Sequence, residues 1–168
     1  TVFVSQPNRM EDVASQLERL GQLAGTEAVA KPAAERFRQR LERLRKANAD
    51  KPPVRVFYQI WKSPLMTVGG PQIISDAIRL CGGENVFGHL NKMAPTVSVE
   101  AVLEANPEAI IATGMGDSRP EWLGDWDKWT QLLAVRRNNL FHSNPDIMQR
   151  HRPRILDGTE KLCAMLDT

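Results

Sequence analysis

Residues 54–87 read VRVFYQIWKSPLMTVGGPQIISDAIRLCGGENVF, joining a buried-strand pattern directly to an exposed aromatic turn. Val54, Val56 and Tyr58 alternate with Arg55, Phe57 and Gln59 behind Pro52 and Pro53, the pattern of a strand running into a turn over Trp61 to Pro64. Gly69 and Gly70 then precede a helix. In an open parallel sheet ligands bind beyond the carboxyl ends of the strands, which puts Gln59, Ile60 and Trp61 where a ligand is met. An indole there covers a large flat apolar surface, although a core tryptophan closing the apolar rim fits the same pattern.

Downstream, strand and helix signals alternate. Helices are expected over Gln72 to Cys81, Val99 to Ala105, Lys128 to Val135 and Arg154 to Asp167, and strands over Asn85 to Phe87, Ala109 to Thr113 and Asn139 to His142. That order predicts an α/β fold: a Rossmann-like lobe with a mostly parallel central sheet covered by helices. Right-handed crossovers place the strand-end loops on one rim, with Trp61, residues 114–122 and residues 144–150. Upstream, Asn8 with Glu11 resembles a capping box for a helix with Val13, Leu17, Leu20 and Ala24 on one face, stopped by Gly25. Thr26 can cap a second, long helix through Asn48, which either starts at Pro32 or kinks there.

The segments YQIW, PLMT, ISDAI and LCGGENVF, together with APTVSVEAVLEANPEAIIATG over residues 94–114 and PDIMQRHRPRILDG near the end, resemble the helical-backbone substrate-binding proteins of cobalamin and iron-siderophore ABC importers, most of all the periplasmic cobalamin-binding proteins. The resemblance implies two α/β lobes bridged by one long helix, with the ligand between them. On that basis residues 1–30 are the end of a first lobe, 31–50 the bridging helix and 51–168 the second, ligand-binding lobe. The run TVFVS at residues 1–5 resembles the last strand of the first lobe, so the chain reads as a fragment whose export signal has been removed.

The resemblance also implies a function and its residues. The expected role is capture of cobalamin or a related corrinoid in the periplasm and delivery to a membrane permease, by a protein that is monomeric when full-length, uses no cofactor and catalyses nothing. A ferric siderophore or haem is the alternative cargo. Ligand contacts carry over to Ile60 and its neighbours Gln59 and Trp61, to Ala94, and to Asp146 and Arg150. Relatives have an aromatic where Ile60 stands, a tryptophan where Ala94 stands and a small residue where Trp61 stands, so the aromatic wall is shifted by a residue. Glu100, in the first turn of a helix capped by Ser98, matches a glutamate that docks onto permease arginines; helix-dipole stabilisation explains the same residue locally. Asp146 and Arg150 at i, i+4 also suit a plain helical ion pair.

Cys81 and Cys163 are the only cysteines. The residues alone are compatible with buried thiols; the resemblance implies that they are joined, in an oxidising compartment. Trp122 is placed to reach the cleft, while Trp126 and Trp129 are expected to pack the helix they start.

Other functions are weaker. With a net charge of +2 and 42% hydrophobic residues the composition is ordinary, and no apolar run approaches the roughly 20 residues that span a bilayer. The arginines between Arg36 and Lys46 coat one side of a helix whose Phe37, Leu41 and Leu44 form an apolar stripe, which argues against a nucleic-acid surface. Neither glycine pair matches a dinucleotide or phosphate loop, and no nucleophile elbow is present. His89, His142 and His151 lack zinc-site spacing, so no metal is expected, though His142, His151 and Asp146 could converge. An interaction module without a small ligand is the alternative of another class.

Overall fold

The β-branched and aromatic run after Pro53 forms strand β1, Val54–Trp61, at the centre of the sheet. The structure is a computed structural model and describes residues 6–114, 118–148 and 153–167. β1 pairs in parallel with β3 (Gly83–Asn85) and with β4 (Ala109–Thr113). In turn β4 pairs in parallel with β5 (Leu140–Ser143). A short strand β2 (Met66–Thr67) folds back antiparallel along the end of β1, giving the order β2-β1-β4-β5 with β3 beside β1. This is the mostly parallel, helix-covered sheet expected of the sequence.

Every residue of β4 is buried, as a strand covered on both faces requires. On one face Val56, Tyr58 and Ile111 pack under α1 (Met10–Ala24), α2 (Glu27–Asn48), α3 (Ile73–Leu80) and α7 (Ile155–Leu166). On the other, Phe57, Ile110 and Ala112 meet α4 (Val99–Ala105) and a 3-10 helix, Glu121–Lys128. Each large apolar side chain so buried contributes about 1.5–3 kcal/mol.

Helix α2 buries Phe37 and Leu41, one turn apart. Its polar side does more than meet water. Arg38 donates to both carboxylate oxygens of Glu18 at 2.6 and 3.0 Å and to Glu11, all on α1. Arg40 reaches Asp157 at 2.6 Å and Glu160 at 2.7 and 2.8 Å on α7. Bidentate forks of this kind are the stronger ion pairs, and they hold Glu18 and Glu160 below the usual carboxylate range, the arginine hydrogen bond being the leading cause for each. The Cys81–Cys163 disulfide adds a covalent tie between the end of α3 and α7.

Several elements differ from expectation. The N-cap of α1 is Arg9, and it is Asp12, three residues on, whose Oδ2 accepts from the N–H groups of Asn8 at 3.1 Å and Arg9 at 3.0 Å; Asn8 and Glu11 do not form the box. Helix α2 starts at Glu27 and continues through Pro32, so a helix can absorb one missing donor when its neighbours pack well. β3 lies slightly earlier than the expected strand, drawn back by pairing of Gly83 to Asn85 with Val54 to Val56. The expected helix over Lys128 to Val135 is instead the 3-10 helix followed by a separate short helix α5, Leu133–Arg136. Asn106 Oδ1 accepts the N–H of Leu133 at 3.0 Å, starting α5 afresh from a distant loop. The expected strand at residues 1–5 lies outside the described residues.

Candidate functional site at the strand-end rim

Helix α4 follows β3 and precedes β4, so it runs antiparallel to the strands and begins on the rim where β1, β4 and β5 end. That rim collects most of the residues singled out from the sequence.

Trp61 closes β1 and is 47% exposed, one of few large apolar side chains left in water. It is held in place nonetheless: its indole Nε1 donates to the Ser63 carbonyl at 3.1 Å within its own turn. Gln59 opposes Thr67 and Trp61 opposes Met66, so Ile60 is the extra residue of a bulge. Ile60 is half-buried and packs on the core under α1 and α2. Gln59 is 2% exposed. Its Oε1 accepts the Trp126 Nε1–H at 2.8 Å, while its Nε2 lies 3.4 Å from the Trp61 carbonyl. The three neighbours thus occupy three settings: Trp61 faces solvent, Ile60 faces the core, and Gln59 ties the strand end to an indole beneath it.

Ala94 reaches the same rim through a strap that crosses Gly69 and Gly70. Gly69 N–H donates to Met93 O at 3.1 Å, Gly70 N–H to Leu90 O at 2.9 Å and Thr67 N–H to Pro95 O at 3.0 Å. A Cβ on Gly69 would come within 1.8 Å of the Lys92 carbonyl oxygen, so this pair of glycines serves close backbone passage. Ala94 is exposed on the strap, and Met66 bridges both Trp61 and the strap's Thr96.

Asp146 is exposed on α6, Pro145–Met148, just beyond β5, and its backbone N–H donates to Asn144 Oδ1 at 2.8 Å. β5 lies two strand positions from β1, on the order of 10 Å across the rim. Arg150 and His151 lie outside the described residues. Glu100 is exposed in the first turn of α4, whose cap is Ser98 accepting Ala101 N–H at 3.1 Å.

Trp126 packs, as expected of it, but the sequence reading missed its partner. Trp126 is a buried strut, edge-on to Phe57 at 5.7 Å between centroids, with its N–H on Gln59. Trp122, Trp126 and Trp129 wall a pocket of about 190 Å³ whose other lining includes Gln59, Leu65 and Val99. Lys62 forms an ion pair with Asp125 at 2.8 Å beside it, and this hydrogen bond lowers the Asp125 carboxyl below its ordinary value. A strand residue bonded to an indole far along the chain has no local signature.

Among the described residues no group of histidine, cysteine and carboxylate side chains is placed to hold a metal ion, and no helix is long and apolar enough to cross a membrane. The rim instead presents the exposed indole of Trp61 with the exposed Asp146 and Glu100.

The family described as periplasmic binding protein matches residues 1–147. The vitamin B12-binding protein of Vibrio cholerae is 32% identical over 167 residues, covering 99% of this chain and 59% of that protein. The crystal structure of a periplasmic vitamin B12 binding protein of Vibrio cholerae matches with a TM-score of 0.87 at 32% identity, over 99% of this chain and 64% of that chain. A Staphylococcus aureus protein crystallised with heme matches with a TM-score of 0.84 over 96% of this chain and 66% of that one, but at 16% identity this speaks to fold alone. The chain spans about three-fifths of the length of its curated relatives. With a match that runs over most of its length, the chain belongs to the periplasmic binding protein family.

Proposed function

We propose that this chain is the bridging helix and second lobe of a periplasmic substrate-binding protein, which captures cobalamin or a related corrinoid and delivers it to the permease of an ABC importer. The observation that carries the reading is Trp61: a large indole, 47% exposed and fixed by its own turn, at the end of the central strand. Ala94 stands on the strap whose Thr96 bridges Met66, the residue opposite Trp61, and Asp146 stands across the rim. A flat ligand held between two lobes gains most of its affinity from buried apolar area, with a few polar groups setting orientation. The 32% identity to a vitamin B12-binding protein supports a corrinoid over a siderophore or haem. Glu100, exposed on the same rim, is the proposed contact with the permease.

Titration of the full-length protein with cyanocobalamin, followed by calorimetry with haem and a ferric siderophore as competitors, tests this. One-to-one binding tighter than about a micromolar, near 8 kcal/mol, is expected; binding only to a competitor replaces the cargo, and silence toward all of them removes the capture role.

A further inference from the structure

We infer that Asp125 is a positioning residue for Trp61, acting through Lys62, so that the 3-10 helix after β4 holds the exposed indole where it meets the ligand. The inference rests on the corrinoid reading above.

The turn that carries Trp61 needs such a hold. Ile60 and Leu65 pack at its two ends, but Trp61, Lys62, Ser63 and Pro64 between them are all exposed. The bond from Trp61 Nε1 to the Ser63 carbonyl lies inside the turn, so it fixes the indole to the turn and not the turn to the lobe. Two consecutive residues of the 3-10 helix reach the chain on either side of Trp61. Trp126 donates to Gln59 Oε1 at 2.8 Å, two residues before it, and Asp125 Oδ2 pairs at 2.8 Å with the Nζ of Lys62, the residue after it. The helix is itself well anchored, because Leu123 and Trp126 are buried in one cluster with Phe57, Ile110 and Ala112. The ion pair thus links an exposed turn to the lobe's core.

What the pair contributes is order rather than fold stability. Both side chains are more than half exposed, and an exposed ion pair adds little to folding. Binding responds differently. A turn already held in one position does not have to be ordered when the ligand arrives, so capture loses less free energy to immobilisation. Lys62 is the hydrogen-bonded partner of Asp125; Lys128 acts on the same carboxylate through its field, its ammonium lying 5.5 Å from the Trp129 ring centroid. Direct contact between Lys62 and the ligand is a separable role, since it does not require Asp125.

Calorimetric titration of the full-length protein with cyanocobalamin tests this. Asp125→Asn is expected to weaken binding by about threefold. Lys62→Gln should do the same, and the two together no more than either alone, since each removes the same pair. In a Trp61→Ala background Asp125→Asn should have no further effect, because no indole is left to position. Unfolding midpoints of the Asp125 and Lys62 variants should match that of the wild type. Unchanged affinity in Asp125→Asn, losses that multiply in the double variant, an undiminished effect in the Trp61→Ala background, or a loss that comes with a lowered midpoint overturns the positioning role and leaves the corrinoid reading standing. A wild type that does not bind cyanocobalamin overturns that reading and the positioning role with it.

Discussion

Trp126 and Gln59, 67 residues apart in sequence, share a buried hydrogen bond in which the indole Nε1 donates to the carboxamide Oε1 at 2.8 Å. This bond ties the 3-10 helix after β4 to the end of β1, where Gln59 Nε2 also lies 3.4 Å from the Trp61 carbonyl. Gln59→Leu strands a buried N–H, a loss of about 1–3 kcal/mol. Replacing both partners, Gln59→Leu with Trp126→Phe, removes donor and acceptor together and should cost less in polar terms than the single change, apart from the ring volume lost. Chemical denaturation of the single and double variants checks this; a double variant whose loss equals the sum of its parts rules out the coupling.

The Cys81–Cys163 bond closes a loop with a sequence separation of 82. In the chain-entropy account a loop of that length stabilises by about 4 kcal/mol. The Cys81→Ala, Cys163→Ala double variant should lose most of that in a urea unfolding curve, and reductant should then have no further effect. A wild type equally stable with and without reductant would contradict this.

Acid stability follows from the carboxylates that arginines hold. Glu18 and Glu160 are lowered chiefly by hydrogen bonds from Arg38 and Arg40, and Glu108 chiefly by the backbone N–H of Arg55, with Arg137 adding to it. A lowered carboxyl contributes stability above its unfolded value, here 4.5, and that contribution fades as pH falls through the folded value. Unfolding midpoints should therefore be level near neutrality and drop below about pH 4.5. Arg40→Gln should make the drop shallower. The pairs are partly exposed, so salt should reduce the effect as well.

How much of this could be read from the chain varies element by element. The alternation of Val54 to Gln59 and the mostly apolar AIIAT of β4 are local signals; β4 has the expected bounds, and β1 starts where expected but runs on through Trp61. The cap of α1 was legible in kind but assigned to the wrong carboxylate, because Glu11 and Asp12 are adjacent and only geometry chooses between them. The break between the 3-10 helix and α5 was hidden, since Leu133 is capped by Asn106 from a distant loop. At the site, Trp61 could be picked out by its place at a strand end. The strut formed by Trp126, and the passage of the Leu90 to Pro95 strap over Gly69, arise from tertiary contacts that leave no periodic trace.

Glu100 gives a prediction that separates capture from delivery. It is exposed in the first turn of α4 and does not line the tryptophan-walled pocket. Glu100→Arg in the full-length protein should leave corrinoid affinity within about twofold and abolish uptake in cells that depend on the importer. Unimpaired uptake excludes docking through this residue.

The central claim, that the rim at the end of β1 is the ligand surface and Trp61 its main apolar contact, is most directly tested by Trp61→Ala in the full-length protein with cyanocobalamin followed by calorimetry. Because Trp61 is exposed and outside both core clusters, the fold should tolerate the change. The account predicts affinity weaker by at least about tenfold, or 1.4 kcal/mol, with an unfolding midpoint close to that of the wild type. An unchanged affinity in a stably folded variant would contradict it.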